Sequence, residues 1–207
     1  MKKINFFVDF KKEEKWLEHM AAQGWQLRKQ EIFYTFEPIP PEHANIKIDY
    51  RIFKSQQDFL EYRSLFEDSG WQHISGTKYS GNQYFKQIGD CSHDDIFSDD
   101  TSRAGRYKRL SNMMLSMLII FIPLVATSFM QGTLGLQAFI NPRELYLTSG
   151  LWELSGSAFW RAFLFETPFA LMRGFSASLG LIIFLAYVFV TIKSWVLYKR
   201  ATNTLSN

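Results

Sequence analysis

A single cysteine, Cys91, occurs in the 207 residues, so no disulfide closes within one chain and cysteine usage carries no strong redox signature. Histidine is scarce too. His19, His43, His73 and His93 are scattered at spacings that suit neither a catalytic triad nor a paired metal set. No P-loop, HExxH, GxSxG, CxxC or dinucleotide glycine fingerprint is present. With no residue set to name for a reaction, the chain is expected to be non-catalytic and to need no cofactor. The front half also lacks a charge excess: residues 1–109 hold 17 Lys+Arg against 17 Asp+Glu. Phosphate binding needs a basic face, so that balance speaks against nucleic acid as a partner. The net +3 arises entirely behind residue 109.

The N-terminal segment MKKINFFVDFKKEEKW has only a short apolar run, broken by Asp9, and does not read as a signal peptide. From Leu110 to Pro142, by contrast, no side chain is ionisable. The first part of that stretch, about 110–130, has the length a helix needs to cross a bilayer. A second uncharged stretch from Gly174 to Ile192 marks another span, about 174–198. Basic residues close to the spans set orientation. Arg103, Arg106, Lys108, Arg109, Lys193, Lys199 and Arg200 flank the chain-terminal sides, against Arg143, Arg161 and Arg173 in the connection. The expectation is a multi-pass protein of the cell membrane with both termini cytoplasmic, and Arg103, Arg106, Lys108, Arg109, Lys199 and Arg200 as its membrane-flanking cations.

The connection is aromatic and apolar over about 150–172, with Trp152, Trp160 and Arg161 as candidate membrane-sensing residues. Thr167-Pro168 reads as a helix start. Two arrangements compete, an interfacial amphipathic helix and a re-entrant segment; Glu153, Arg161 and Glu166 favour the first.

Within residues 1–89 a segment recurs at an offset of 46. Gly24-Trp25-Gln26 returns as Gly70-Trp71-Gln72, Phe7 as Phe53, Trp16 as Tyr62, and the helix caps Asp9 and Ser55 coincide. Each copy reads as strand, helix, strand, strand. In the first, Ile4–Val8 is a strand, Phe10–Gln23 a helix, and 25–29 with 32–37 a hairpin. In the second, Ile46–Ile52 precedes a helix over 56–69 and strands near 71–75 and 83–88. Gly24 and Gly70 occupy the left-handed position past each helix. Trp16, Leu17, Met20 and Ala21 line the apolar face of one helix; Phe59, Tyr62, Leu65 and Phe66 line the other. Trp25 and Trp71 are expected to pack between helix and sheet. The fold class is therefore α+β, a duplicated two-layer sandwich on a ferredoxin-like plan, followed by a two-helix transmembrane hairpin.

Residues 90–109 read as a linker, acidic and then basic. Its first part, DCSHDDIFSDD, is a solvated composition in which Cys91, His93, Asp94 and Asp95 fit no closed metal site. Glu13, Glu14 and Glu18, interleaved with Lys11, Lys12 and Lys15, read as a solvated, ion-paired helix face.

Phe10, Lys12-Glu13-Glu14, Trp16-Leu17, Met20-Ala21, Gly24-Trp25, Tyr34, Phe36, Tyr62 and Gly70-Trp71 carry a resemblance to the bacterial domain-of-unknown-function-2812 family. The resemblance implies a membrane-tethered cytosolic domain, encoded in many cases near PadR-type transcriptional repressors, and no catalytic residues. The functional expectation is a membrane-anchored sensory or protein-interaction module. Its partners would be membrane lipid, a transcriptional regulator or membrane complex, and further copies of itself. The alternative is an accessory subunit of a membrane transporter, with an enzyme behind both.

Overall fold

The computed structural model describes residues 1–88, 95–130 and 141–203. They form two compact units, Met1–Met113 with Val190–Asn207, and Met114–Phe189.

In the first unit the elements follow as β1 (Lys2–Lys3), α1 (Phe10–Ala22), β2 (Trp25–Gln30), β3 (Tyr34–Pro38), β4 (Ile46–Tyr50), α2 (Gln56–Asp68), β5 (Trp71–Ser75) and β6 (Asn82–Gln87). The class is α+β, with the strands in two antiparallel sheets of three, ordered β1-β3-β2 and β4-β6-β5, rather than one continuous sheet. Both halves share the order strand–helix–strand–strand and place their last strand in the middle. The expected first strand over Ile4–Val8 is displaced to Lys2–Lys3. Phe7 turns inward, 5.4 Å from the Trp16 ring, and Asp9 must already cap α1, so the ladder ends early.

The local signals for both helices are realised. The Asp9 side chain accepts from the Lys11 amide, and Ser55 with Asp58 forms a full capping box. Gly24 and Gly70 leave the helices at φ +83° and +82°. Trp71 is buried with Phe53, Phe59, Tyr62 and Phe85 in the core of the second half, while Trp25 is half-buried. Leu65, expected on the apolar face of α2, is exposed, because Phe59, Tyr62 and Phe66 already complete the stripe that meets Phe85.

α3 spans Asp100–Met130, and α4 runs unbroken from Gly156 to Asn203. Both are long and apolar enough to cross a membrane. At 1.5 Å per residue α4 is about 72 Å long, more than twice a hydrocarbon core of about 30 Å. Helix does not start at Thr167-Pro168. Pro168 lies inside α4, whose earlier turns are held by packing in the second unit. There the connection folds back on α4, with Tyr146 stacked on Phe163 at 5.2 Å and Trp152 edge-on to Tyr146 at 5.3 Å. Glu166 accepts the amides of Leu147 and Thr148 and pairs with Arg173, which donates to the Leu145 carbonyl.

The turn into β6 depends on Gly81, at φ +77°, where an added Cβ would meet the Tyr50 ring at 2.6 Å. Gly81→Ala is expected to lower the stability of the detergent-solubilised chain by about 2–3 kcal/mol. Gly150→Ala, at φ +71° but with the added Cβ meeting nothing nearer than Glu153 Oε2 at 3.7 Å, should cost about 1 kcal/mol. Thermal melts of the two variants side by side check the difference.

Candidate functional site

The buried stripe of α1 is Phe10, Glu13, Glu14, Leu17, Met20 and Ala21, spaced i, i+3, i+4, i+7, i+10 and i+11. Two glutamates therefore occupy core positions on an amphipathic helix, and the solvated-face reading of Glu13 and Glu14 is overturned. The signal was in the spacing: both are in phase with Phe10 and Leu17, whereas Lys11, Lys12 and Lys15 are not.

Glu13 is 1% exposed and accepts hydroxyl hydrogen bonds from Tyr34 at 2.8 Å and Tyr84 at 2.6 Å. Tyr34 lies on β3 and Tyr84 on β6, the central strands of the two sheets. One carboxyl group thus ties both sheets to α1. Burial pushes Glu13 up to about 7, against the opposing pull of the two phenols.

Glu14, beside it, accepts the Ile48 amide at 3.1 Å and pairs with Arg106. Burial again raises its pKa, opposed by the Arg106 charge. Glu18 accepts the Ile46 amide at 3.3 Å. β4 is an edge strand, and its outward amides would otherwise lack partners. Its outward carbonyls are met from α3: Arg106 donates to Ile48 O at 2.6 Å, and Arg109 to Tyr50 O at 2.6 Å. α1 and α3 together close the open edge of the second sheet with side chains.

Further contacts lock the first turns of α3 in place. Tyr107 donates to Asp9, the cap of α1, at 2.9 Å. Arg109 pairs with Asp49, which also accepts from Tyr62 at 2.9 Å. Ala104, Arg106 and Tyr107 are buried. The Arg106 guanidinium lies 5.1 Å from the Phe10 ring and 5.4 Å from that of Tyr107, cation–π contacts that suit a desolvated arginine. Residues 100–109, read from the sequence as linker, are helical and part of the domain.

The other expected site residues fall as follows. Arg103 pairs with Asp95 and Asp100. Lys108 sits over the Tyr198 ring at 5.9 Å, Lys199 over Trp195 at 5.3 Å, and Arg200 in the last turn of α4. Trp160 and Arg161 are exposed on α4; Trp152 is 43% exposed and packs on Tyr146. Cys91, His93 and Asp94 lie outside the described residues. Among the described residues no three His, Cys, Asp or Glu side chains are placed to hold a metal ion.

An α+β domain with a helix long and apolar enough to span a membrane built into its core defines the class. Residues 9–119 match the family model described as a protein of unknown function (DUF2812), and the chain belongs to that family. The match runs past the docked turns of α3. No curated protein matches the chain, and no solved structure does.

Arg106→Ala strands Glu14 in the core and is expected to cost about 3–5 kcal/mol. Adding Glu14→Leu should recover part of that loss, which denaturant titrations of the single and double variants would read.

Because the folded-state pKa of Glu13 is raised above 4.5 to about 7, the folded chain holds a proton the unfolded chain releases. Its stabilising contribution is complete below pH 4.5 and is lost as pH rises to about 7, a fall on the order of 3 kcal/mol. Glu13→Gln should flatten that slope in melting temperatures recorded from pH 5 to 8.

Proposed function

We propose that this protein is a membrane-anchored, non-catalytic sensory or interaction module. In this reading α3 couples a transmembrane hairpin to the cytosolic α+β domain. The observation that carries it is that α3 is a single helix. Its first turns complete the edge of β4 and bond the cap of α1, and its remainder is uncharged. Tilting or sliding such a helix disturbs Asp9, Glu14 and Asp49 at once. The excess of basic residues on the chain-terminal flanks supports both termini in the cytoplasm.

On this orientation the folded connection, with Trp152 and Trp160, meets the outer leaflet and responds to envelope perturbation. The domain, whose two halves we read as copies of one unit on a ferredoxin-like plan, presents its surface to a transcriptional regulator or membrane complex. A second reading, an accessory subunit of a transporter, is favoured by Gly180 on α4, around which nothing lies within 4 Å of an added Cβ. Such an open small-residue position suits a foreign helix.

The test is amide hydrogen exchange on full-length protein in liposomes, before and after a membrane-active amphiphile. Protection in α1 and β4 is expected to drop in the native chain and to stay unchanged when Trp152→Ala and Trp160→Ala are combined. Exchange in α1 and β4 that ignores the amphiphile rejects the sensory reading. A stoichiometric transporter recovered in mild detergent would establish the alternative.

A further inference from the structure

We infer that one end of the α+β domain, the end from which α3 leaves it, is a second membrane-contact surface that seats on anionic lipid. The inference rests on the reading of α3 as a bilayer span.

The direction of α3 follows from its contacts. Glu18 of α1 meets Ile46 and Glu14 meets Ile48, so α1 runs against β4 and its start lies at the end of β4, where Tyr107 of α3 reaches Asp9. Along β4, Arg106 meets Ile48 and Arg109 meets Tyr50, so α3 leaves toward the end of β4. The uncharged stretch begins at the next residue, Leu110.

Four connections converge on that end. The segment 4–8 leads into α1, and the β2–β3 turn lies where Lys3 pairs with Tyr34. The β4–α2 and β5–β6 connections meet where Tyr50 pairs with Asn82. The Gln30 amide donates to Ser75 Oγ at 3.0 Å, bringing the ends of β2 and β5 to one level.

These connections carry most of the domain's exposed apolar side chains. Of the ten large hydrophobics exposed within residues 1–88, six are here: Ile4, Phe6, Ile32, Phe33, Ile52 and Tyr79. Ile32 is 80% exposed and Ile4 76%. Scattered exposed hydrophobics need no explanation, but a group confined to one end of a domain does.

Charge selects the occupant. Lys2, Lys11, Lys12 and Lys54 are exposed around this group. Lys11 and Lys12 lie in the first turn of α1, and Lys54 precedes the cap of α2, where the positive ends of helix dipoles already disfavour cations. The nearby carboxylates are fewer than the cations: Asp9, which accepts from Tyr107, Asp58 in its capping box, and Glu31, which pairs with Lys29. Apolar tips ringed by an excess of exposed lysines, at the level where a helix turns uncharged, fit the headgroup region of an anionic leaflet.

The experiment uses full-length protein carrying Cys91→Ser in liposomes containing phosphatidylglycerol. Single cysteines from Ile32→Cys, Tyr79→Cys, Leu65→Cys and Ile120→Cys are labelled with bimane. Quenching by nitroxide-labelled lipid and by aqueous iodide is then compared. The expected result is lipid quenching at positions 32, 79 and 120 and iodide quenching at 65 on the outer face of α2. Each of Lys11→Gln, Lys12→Gln and Lys54→Gln should lower the seated-to-free ratio roughly fivefold. Lipid quenching at 120 with 32 and 79 as open to iodide as 65 overturns this inference and leaves the span standing. Probes at 32 and 79 shielded from both quenchers mean a protein covers this end, which also overturns it. Absence of lipid quenching at 120 as well overturns the span itself.

Discussion

The pairing of Arg106 with Glu14, at the open edge of β4, is the constraint on which the first unit depends. An edge strand presents amides and carbonyls that must find partners or water. Here the amides of Ile46 and Ile48 go to Glu18 and Glu14, and the carbonyls of Ile48 and Tyr50 go to Arg106 and Arg109. Both ions of the buried pair thus also hold the strand. Removing either would leave a charge and a backbone group unsatisfied together, and for such arrangements the loss exceeds what the pair itself contributes. The domain and the start of α3 are consequently one folding unit, in accord with a family match that extends to residue 119.

Glu13 plays the complementary part. A carboxyl group between two phenols from different sheets is an expensive way to fill a core position, since an apolar residue would avoid the desolvation. It does give the two sheets a shared directional contact. Its neighbour Glu14 carries the link onward to α3, so the protonation of one glutamate and the seating of a helix involve adjacent groups. In the second unit a similar economy appears around Glu166, which holds two backbone amides and Arg173 and so keeps the connection folded on α4.

Much of the fold was legible in the sequence because its signals are local. Asp9 and Ser55 announce helix starts, Gly24 and Gly70 announce their ends, and alternation from Ile46 to Tyr50 announces a strand, all within a few residues. The first strand was misplaced because Ile4 and Phe6 look like strand residues, yet the length of the ladder is set by when Phe7 must turn inward. The start of α4 was misplaced for a related reason. Thr167-Pro168 is a good helix start, but packing of Tyr146 and Trp152 on Phe163 outweighs one missing amide.

The candidate site was the least legible part. Glu13 and Glu14 sit in phase with the apolar stripe, so their burial could have been suspected from spacing. Their partners Tyr34, Tyr84 and Arg106 are 21, 71 and 92 residues away. The sequence by itself determined the α+β class, both helices of the domain, the two apolar stretches and the family. Tertiary structure alone decided that six strands divide into two sheets, that two glutamates are interior, and that Arg106, out of the basic run before Leu110, enters the domain's core. Period and capping act through neighbouring residues, whereas a buried charge is tolerated only where chain folding delivers its counter-charge, and no local pattern encodes that meeting.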